Sequence, residues 1–185
     1  RSTLFPYTTL FRSSYLCDSG ADMITYGMGE KPTLELASAL SEKGTVNSEK
    51  FASAIKSIPQ TVYLARKEDI PGGITDKDIV LHSHEEFLKD KRAQAENFRH
   101  VEEQSYMMHA ARLLQGVDGR YVVINPPYPP MTTAELDASF DLPYTRQPHP
   151  KYKGKRIPAY DMIKHSVNIH RGCFGGCAFC TISAH

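Results

Sequence analysis

Three of the four cysteines in this chain lie within one short stretch, Cys173-Phe-Gly-Gly-Cys177-Ala-Phe-Cys180. This C-x3-C-x2-C spacing places three thiolates on a single loop, whose glycines let the backbone turn tightly around a bound group. The fourth cysteine, Cys17, is far away in the sequence, so the pattern argues against two disulfides. The cluster predicts a metal centre in a reducing compartment, and we expect Cys17 to be a small buried apolar residue.

Two kinds of metal centre are compatible with three clustered thiolates. A [4Fe–4S] cluster held by Cys173, Cys177 and Cys180 would keep one iron with an open coordination position, where a substrate or cosubstrate can bind. A structural zinc ion would need a fourth ligand, which His170 or His185 could supply. Zinc sites more often use pairs of cysteines separated by a longer loop, so the spacing favours the iron–sulfur cluster.

The composition argues against several other classes of protein. The 185 residues are 41% hydrophobic and 23% charged, with a formal net charge of +1. These values are typical of a globular protein with one ordinary domain or slightly more. The sequence has no apolar run long enough to span a bilayer and no secretion-signal pattern. We therefore expect a cytoplasmic protein with no membrane partner, and the net charge gives no reason to propose a nucleic-acid partner.

Both ends of the sequence suggest a fragment of a longer reading frame. Residues 1–13 (RSTLFPYTTLFRS) resemble the translation of a common sequencing adapter. We expect them not to pack as part of a core and exclude them from the fold prediction. At the other end, the chain stops five residues after Cys180. Most of what the cysteine loop serves is therefore expected to lie beyond residue 185.

Short apolar runs alternate with helical patterns, and this alternation predicts an α/β fold. The β-prone runs are residues 21–26, 61–65, 78–82, 120–124 and 166–170. Helical periodicity covers residues 33–43, 47–58, 84–115 and 133–140. The third of these helices is longer than usual, so we expect a kink or a break in it.

Residues 26–30 (YGMGE) form a glycine-containing junction between a predicted strand and a predicted helix. The first amides of a helix can bind an anion at such a junction. A single short glycine pair is weak evidence, so we favour a structural turn over a ligand site.

Residues 144–165 contain six Lys or Arg residues and one acidic residue, interleaved with Tyr144, Tyr152 and Tyr160. Basic residues interleaved with aromatic ones can bind single-stranded nucleic acid. We favour a solvated loop, because the net charge of the whole chain is close to zero.

Several segments together resemble the YgiQ-type family of radical S-adenosylmethionine (SAM) proteins. The cysteine loop is similar to the C-x3-C-x-Φ-C signature of the radical SAM superfamily, with Phe179 at the aromatic position. Upstream, the resemblance extends over residues 26–30 (YGMGE), 122–130 (VVINPPYPP), 141–146 (DLPYTR), 149–154 (HPKYKG), 157–160 (IPAY) and 167–177 (VNIHRGCFGGC). It covers essentially residues 14–185.

The resemblance implies a domain organisation. Residues 14–160 would form part of an N-terminal α/β domain, which we expect to be Rossmann-like. Residues 161–185 would begin the radical SAM core, a partial (β/α) barrel whose first strand is residues 166–170 and is followed by the cluster loop. Because the rest of that core would be missing, we do not expect the fragment itself to be active.

The resemblance also implies an activity. Cys173, Cys177 and Cys180 would ligate a [4Fe–4S] cluster, SAM would bind its open iron, and Phe179 would border the adenine. Reduction by an electron donor such as flavodoxin or ferredoxin would cleave SAM to a 5′-deoxyadenosyl radical, which abstracts hydrogen from an unknown substrate. The alternative is a zinc-stabilised, non-enzymatic module that could bind RNA, in which the same cysteines are structural.

Overall fold

The structure, a computed structural model, describes residues 15–43, 49–105 and 107–167. They belong to two compact units, one ending at Pro130 and the other beginning at Met131. The adapter-like residues 1–13 lie outside the described part of the chain. The domain boundary that the sequence suggested at residue 160 stays a prediction.

The first unit is a mixture of strands and helices, which confirms the predicted α/β class. Its described strands are β1 (Met23–Thr25), β2 (Thr61–Ala65), β3 (Ile79–Leu81), β4 (Leu113–Val117) and β5 (Arg120–Ile124). Its described helices are α1 (Tyr15–Ser19), α2 (Glu30–Lys43), α3 (Glu49–Ile55), α4 (His84–Lys89) and α5 (Lys91–Ser105).

The five strands form one mixed sheet in the order β1-β2-β5-β4-β3. β2 pairs antiparallel with β1 and β5, and β4 pairs antiparallel with β5; only β3 and β4 run parallel within the described sheet. A Rossmann-like sheet is mostly parallel, so that finer prediction is not confirmed. Of the predicted barrel strand, Ser166 and Val167 are described and are not in a strand, and residues 168–170 lie outside the described residues.

Both faces of the central strands are buried. Alternate residues of a strand point to opposite faces. Accordingly, Val122 and Ile124 of β5 belong to one core cluster and Val123 to the other. Cys17 packs against the first cluster, as expected for an apolar residue, but it is partly and not fully buried. Strands buried on both faces read as continuous apolar runs, and residues 122–124 (VVI) are such a run.

The predicted helix over residues 84–115 is two helices followed by a strand. The expected break is present, since α4 ends at Lys89 and α5 begins at Lys91. The prediction is wrong for residues 107–112, which are turn and irregular structure, and for residues 113–115, which belong to β4 (Leu113–Val117) and pair with β5. Asp118 and Gly119, with φ of 46° and 72°, make the two-residue turn between these strands. An Asp-Gly pair between apolar runs is a strong hairpin signal, which the helical spacing of the preceding residues had obscured.

The second unit, over its described residues 131–167, holds two short helices, α6 (Thr133–Phe140) and α7 (Pro158–Ile163). The predicted helix over residues 133–140 is confirmed. It begins with a capping box, in which the Thr132 hydroxyl accepts from the Glu135 amide and the Glu135 carboxylate accepts from the Thr132 amide. None of the residues described in this unit is buried. In neither unit is any described helix both long enough and apolar enough to cross a membrane.

Two tyrosines of the first unit give a test of hydrogen bonding: Tyr26 is partly buried and Tyr63 is buried. The Tyr26 hydroxyl donates to the Asn125 carbonyl. The Tyr63 hydroxyl is buried and has no hydrogen-bond partner among the described residues, and burial raises its pKa to about 12. We expect Tyr26→Phe to lower the free energy of unfolding by about 1 kcal/mol and Tyr63→Phe to leave it unchanged or raise it. Urea denaturation at pH 7 measures both, and an equal loss in the two variants would contradict this assignment.

Candidate functional site

The side chains that the sequence predicts to hold a cofactor lie outside the described residues. These are Cys173, Cys177, Cys180 and Phe179, and the candidate zinc ligands His170 and His185 lie there too. Their roles stay predictions. Within the part of the chain that is described, no three His, Cys, Asp or Glu side chains come together as a metal site would require.

A buried polar network joins the ends of β1, β2 and β5, and we call it the strand-end network. At its centre is Asn125, which directly follows β5 and is 5% exposed. Its side-chain amide faces the carbonyl oxygens of Lys56 (2.9 Å) and Ile58 (2.8 Å) and the Thr61 hydroxyl (3.1 Å). The Thr61 hydroxyl in turn donates to the Ile58 carbonyl at 2.6 Å. One amide side chain therefore contacts two backbone carbonyl groups that follow α3 and the side-chain hydroxyl of the first residue of β2.

Gln60 extends this network to the end of β1. Its backbone lies in the left-handed region, with φ of 61°, and its side-chain amide donates to the carbonyl oxygens of Tyr26 and Met28. Its backbone N–H donates to the Pro126 carbonyl at 2.8 Å. Gly27 also has a positive φ, and a Cβ there would lie 3.3 Å from the Gln60 amide nitrogen. Position 27 therefore favours glycine for two reasons, the positive φ of its backbone and the close approach of the Gln60 side chain.

The junction at residues 26–30 is consistent with the structural turn favoured from the sequence. Two of its carbonyl groups accept from Gln60, and the Gly29 carbonyl accepts from the Thr33 amide at 3.1 Å. Helix α2 begins at Glu30. A carboxylate in the first turn complements the positive end of the helix dipole and would repel a bound anion.

A second polar cluster fixes the loop between β2 and β3. Arg112 binds Asp78 through two contacts, Nε to Oδ1 at 2.9 Å and Nη2 to Oδ2 at 2.8 Å. The same guanidinium donates to the carbonyl oxygens of Pro71 (2.9 Å) and Gly73 (2.6 Å). The Thr75 amide donates to Asp78 at 2.8 Å. Hydrogen bonding to Arg112 lowers the pKa of Asp78, and that to Asp78 raises the pKa of Arg112.

A third cluster surrounds His82, at the end of β3. Its ring Nε2 lies 2.7 Å from the Glu96 carboxylate and its Nδ1 lies 3.8 Å from that of Glu86. The hydrogen bond to Glu96 is the main reason why the pKa of His82 is raised. The backbone amide and carbonyl of His82 bind the Asn97 side chain, and the Gln115 side chain also donates to that carbonyl. The side chain is 41% exposed.

These three clusters hold loops and strand ends in place. Their donors and acceptors are taken up by backbone groups or by each other, which is the chemistry of a scaffold. Sequence reasoning had missed Gln60, Asn125 and the Arg112–Asp78 pair. The one local signal was the prolines on either side of the network, Pro59 and Pro126, which mark where the chain must leave regular structure.

Comparison with known proteins identifies the family. The family described as "Radical SAM N-terminal" matches residues 5–166. The chain belongs to this family. This confirms the resemblance to YgiQ-type radical SAM proteins found in the sequence, and no solved structure matches the chain.

Several curated proteins are similar to the chain, and each is named a UPF0313 protein. The one from Bacteroides thetaiotaomicron is 59% identical over 179 residues, and the alignment covers 94% of this chain and 28% of that protein. The one from Porphyromonas gingivalis is 58% identical, with coverage of 92% and 26%. The one from Methanocella arvoryzae is 44% identical, with coverage of 94% and 27%. The chain thus spans about a quarter of the length of these relatives.

Substitution of Asn125 tests the strand-end network. Asn125→Ala removes the donor to several buried acceptors, so we expect it to lower the free energy of unfolding by about 2–3 kcal/mol. Asn125→Asp should cost more at pH 7, because a carboxylate would face two carbonyl oxygens. The pKa of that aspartate would be raised, so part of the loss should be recovered as the pH falls towards 4.

Asn97→Asp is the matched control in the same denaturation series. Asn97 is equally buried, but its Oδ1 already accepts from the His82 amide, so an aspartate keeps one of its two contacts. We expect a smaller loss at pH 7 than for Asn125→Asp. If the two variants lost the same free energy of unfolding, the loss would come from burying a charge at either position and not from the contacts described here.

Substitution of Asp78 tests the buried ion pair. The side chains of Asp78 and Arg112 are 6% and 17% exposed, and removing one partner leaves the other uncompensated. We expect Asp78→Asn to lower the free energy of unfolding by about 3 kcal/mol at pH 7. Because the pKa of Asp78 is lowered, its contribution is present above the usual Asp range and is lost as the pH falls below about 4. The gap between wild type and variant should therefore shrink at acid pH.

An exposed ion pair, Arg99–Glu103, serves as the control for the buried Arg112–Asp78 pair. Arg99 and Glu103 lie 3.8 Å apart, with both side chains at least half exposed. Glu103→Gln should leave the urea midpoint unchanged, since solvent screens such pairs. If Glu103→Gln and Asp78→Asn lowered the free energy of unfolding by similar amounts, burial of the Arg112–Asp78 pair would not be the source of its contribution to stability.

Proposed function

We propose that the protein carrying this chain is a radical SAM enzyme in which Cys173, Cys177 and Cys180 ligate a [4Fe–4S] cluster. The observation that carries the proposal is the C-x3-C-x2-C loop, which follows closely after residues 5–166 that match the Radical SAM N-terminal family. The substrate is not identified by any residue of the chain.

The chemistry of the donor set fits such a cluster. Three thiolates suit three of four irons and leave the fourth open for the amino and carboxylate groups of SAM. When reduced by one electron, the cluster would supply the electron that cleaves SAM to methionine and a 5′-deoxyadenosyl radical. The cysteine side chains would hold the cluster, and Phe179 would provide a flat apolar face for the adenine.

The same proposal includes the setting of this loop. Residues 161–185 would begin the partial (β/α) barrel of a radical SAM core, with residues 166–170 as its first strand. A cytoplasmic location would keep the thiols reduced, and an electron donor such as flavodoxin or ferredoxin would reduce the cluster.

The decisive experiment uses the complete gene product that carries this chain. It is reconstituted anaerobically with iron and sulfide, reduced, and measured by electron paramagnetic resonance with and without SAM. We expect the signal of a reduced cluster, shifted when SAM is added. A colourless protein with stoichiometric zinc and no such signal would overturn the proposal and make the cysteines structural.

Cysteine variants localise the cluster. Cys173→Ala, Cys177→Ala and Cys180→Ala should each abolish formation of 5′-deoxyadenosine from SAM, because each removes a cluster ligand. Cys17→Ala is the matched control and should keep that activity, because Cys17 packs against the core of the first unit. The far-ultraviolet circular dichroism of all four should match wild type, so that loss of product reports the ligand and not the fold. Full activity in any one of the three loop variants would remove that cysteine from the ligand set.

A further inference from the structure

The near-zero net charge of the chain conceals a separation of charge along it. Residues 15–130 contain 13 Lys or Arg and 17 Asp or Glu, whereas residues 144–165 contain six and one. We call residues 144–165 the basic segment. The Debye length is about 8 Å at physiological ionic strength, so a ligand responds to this local excess more than to the charge of the whole chain.

Most of the cations in the basic segment are available to a ligand. Its one acidic residue, Asp161, pairs with Arg156 at 3.2 Å and with Lys164 at 3.7 Å. The remaining four cations are exposed and have no ion-pair partner among the described residues; they are Arg146, Lys151, Lys153 and Lys155. Four uncompensated cations in ten residues form a site for a polyanion.

One exposed aromatic residue, Tyr152, lies between Lys151 and Lys153 in the sequence, and another, Tyr144, precedes Arg146. The side chains of Tyr144 and Tyr152 are 59% and 41% exposed. The Lys151 ammonium lies 4.9 Å from the centroid of the Tyr152 ring. A cation beside an exposed ring places charge and a stacking face within reach of one nucleotide.

Hydrogen bonds within the basic segment fix its backbone, and with it the positions from which the exposed lysines and tyrosines project. The Lys153 amide donates to the Pro150 carbonyl at 3.0 Å, and the Lys155 amide donates to the Tyr152 carbonyl at 2.9 Å. The Tyr160 hydroxyl donates to the Arg146 carbonyl at 3.1 Å, which ties the two ends of the segment together. The three lysines are thus presented on a closed turn, which reduces the entropy lost when a ligand binds.

We infer that the basic segment is a binding surface for single-stranded nucleic acid. The free cations would contact phosphates, and Tyr144 and Tyr152 would stack on bases. An acidic protein, such as an electron donor, would use the cations but would not require the two exposed tyrosine rings. The inference does not depend on the proposed radical SAM activity, because it uses only the described residues of the second unit.

Fluorescence anisotropy with the complete gene product and a labelled 12-nucleotide single-stranded RNA tests the inference. Each cation that contacts a phosphate contributes about −0.7 to the slope of log K against log salt concentration. We therefore expect a slope of about −3, reduced by about two in the triple variant Lys151→Gln, Lys153→Gln, Lys155→Gln. Tyr152→Ala should weaken binding about tenfold, whereas Tyr152→Phe, which keeps the ring, should not.

The matched control removes three exposed lysines of the first unit. Lys67→Gln, Lys77→Gln and Lys89→Gln together change the net charge equally and should leave affinity and slope unchanged. Poly-glutamate of equal charge serves as the competitor, and melting temperatures are recorded for every variant.

Three outcomes would overturn the inference. Absence of RNA binding at 50 mM salt is the first. Equal competition by poly-glutamate, with no effect of Tyr152→Ala, would identify a surface for an acidic protein. A melting temperature lowered by several degrees in the basic-segment variants would show that these side chains pack against the rest of the protein.

Discussion

The first unit depends on the central strand β5, which is paired along its length on both sides and buried on both faces. Val122, Val123 and Ile124 are at most 3% exposed, so each contributes about 1.5–3 kcal/mol through burial. A shift of one residue in register would move every side chain of β5 to the opposite face. The two-residue turn to β4 and the hydrogen bond from the Asn125 amide to the Thr61 carbonyl (2.9 Å) fix the register at the two ends of the strand.

A sheet with two covered faces has few places where polar groups can reach water, and its strand ends must be satisfied internally. This explains why two buried polar side chains of the unit, Gln60 and Asn125, lie beside prolines at such ends. Each donates to backbone carbonyl groups of segments distant in sequence. Each therefore holds the end of one strand in a fixed position relative to another segment. The left-handed backbone of Gln60, strained for a side chain of this kind, is held because its amide and its backbone N–H are both bonded.

Sequence patterns located those elements whose signals are local. β2 and β5 were predictable because β-branched runs are bounded by prolines, and α6 because Thr132 and Glu135 form a capping box. β4 was not predictable from local sequence, because Ala111 and Leu114 continue the helical spacing of α5. This segment is a strand because it pairs with β5. The order of the strands was equally hidden. For the site, spacing alone marked the cysteine loop, but Asn125 acts on groups 64 to 69 residues away, which no local pattern reports.

The separation of charge between the first unit and the basic segment has a consequence for an anionic ligand. Residues 15–130 carry more acidic than basic residues, so a polyanion is attracted more strongly to the basic segment. The basic segment ends at His165, eight residues before Cys173, and eight extended residues reach at most about 28 Å. The C-terminal end of the basic segment therefore lies within about 28 Å of Cys173, whatever path the chain follows.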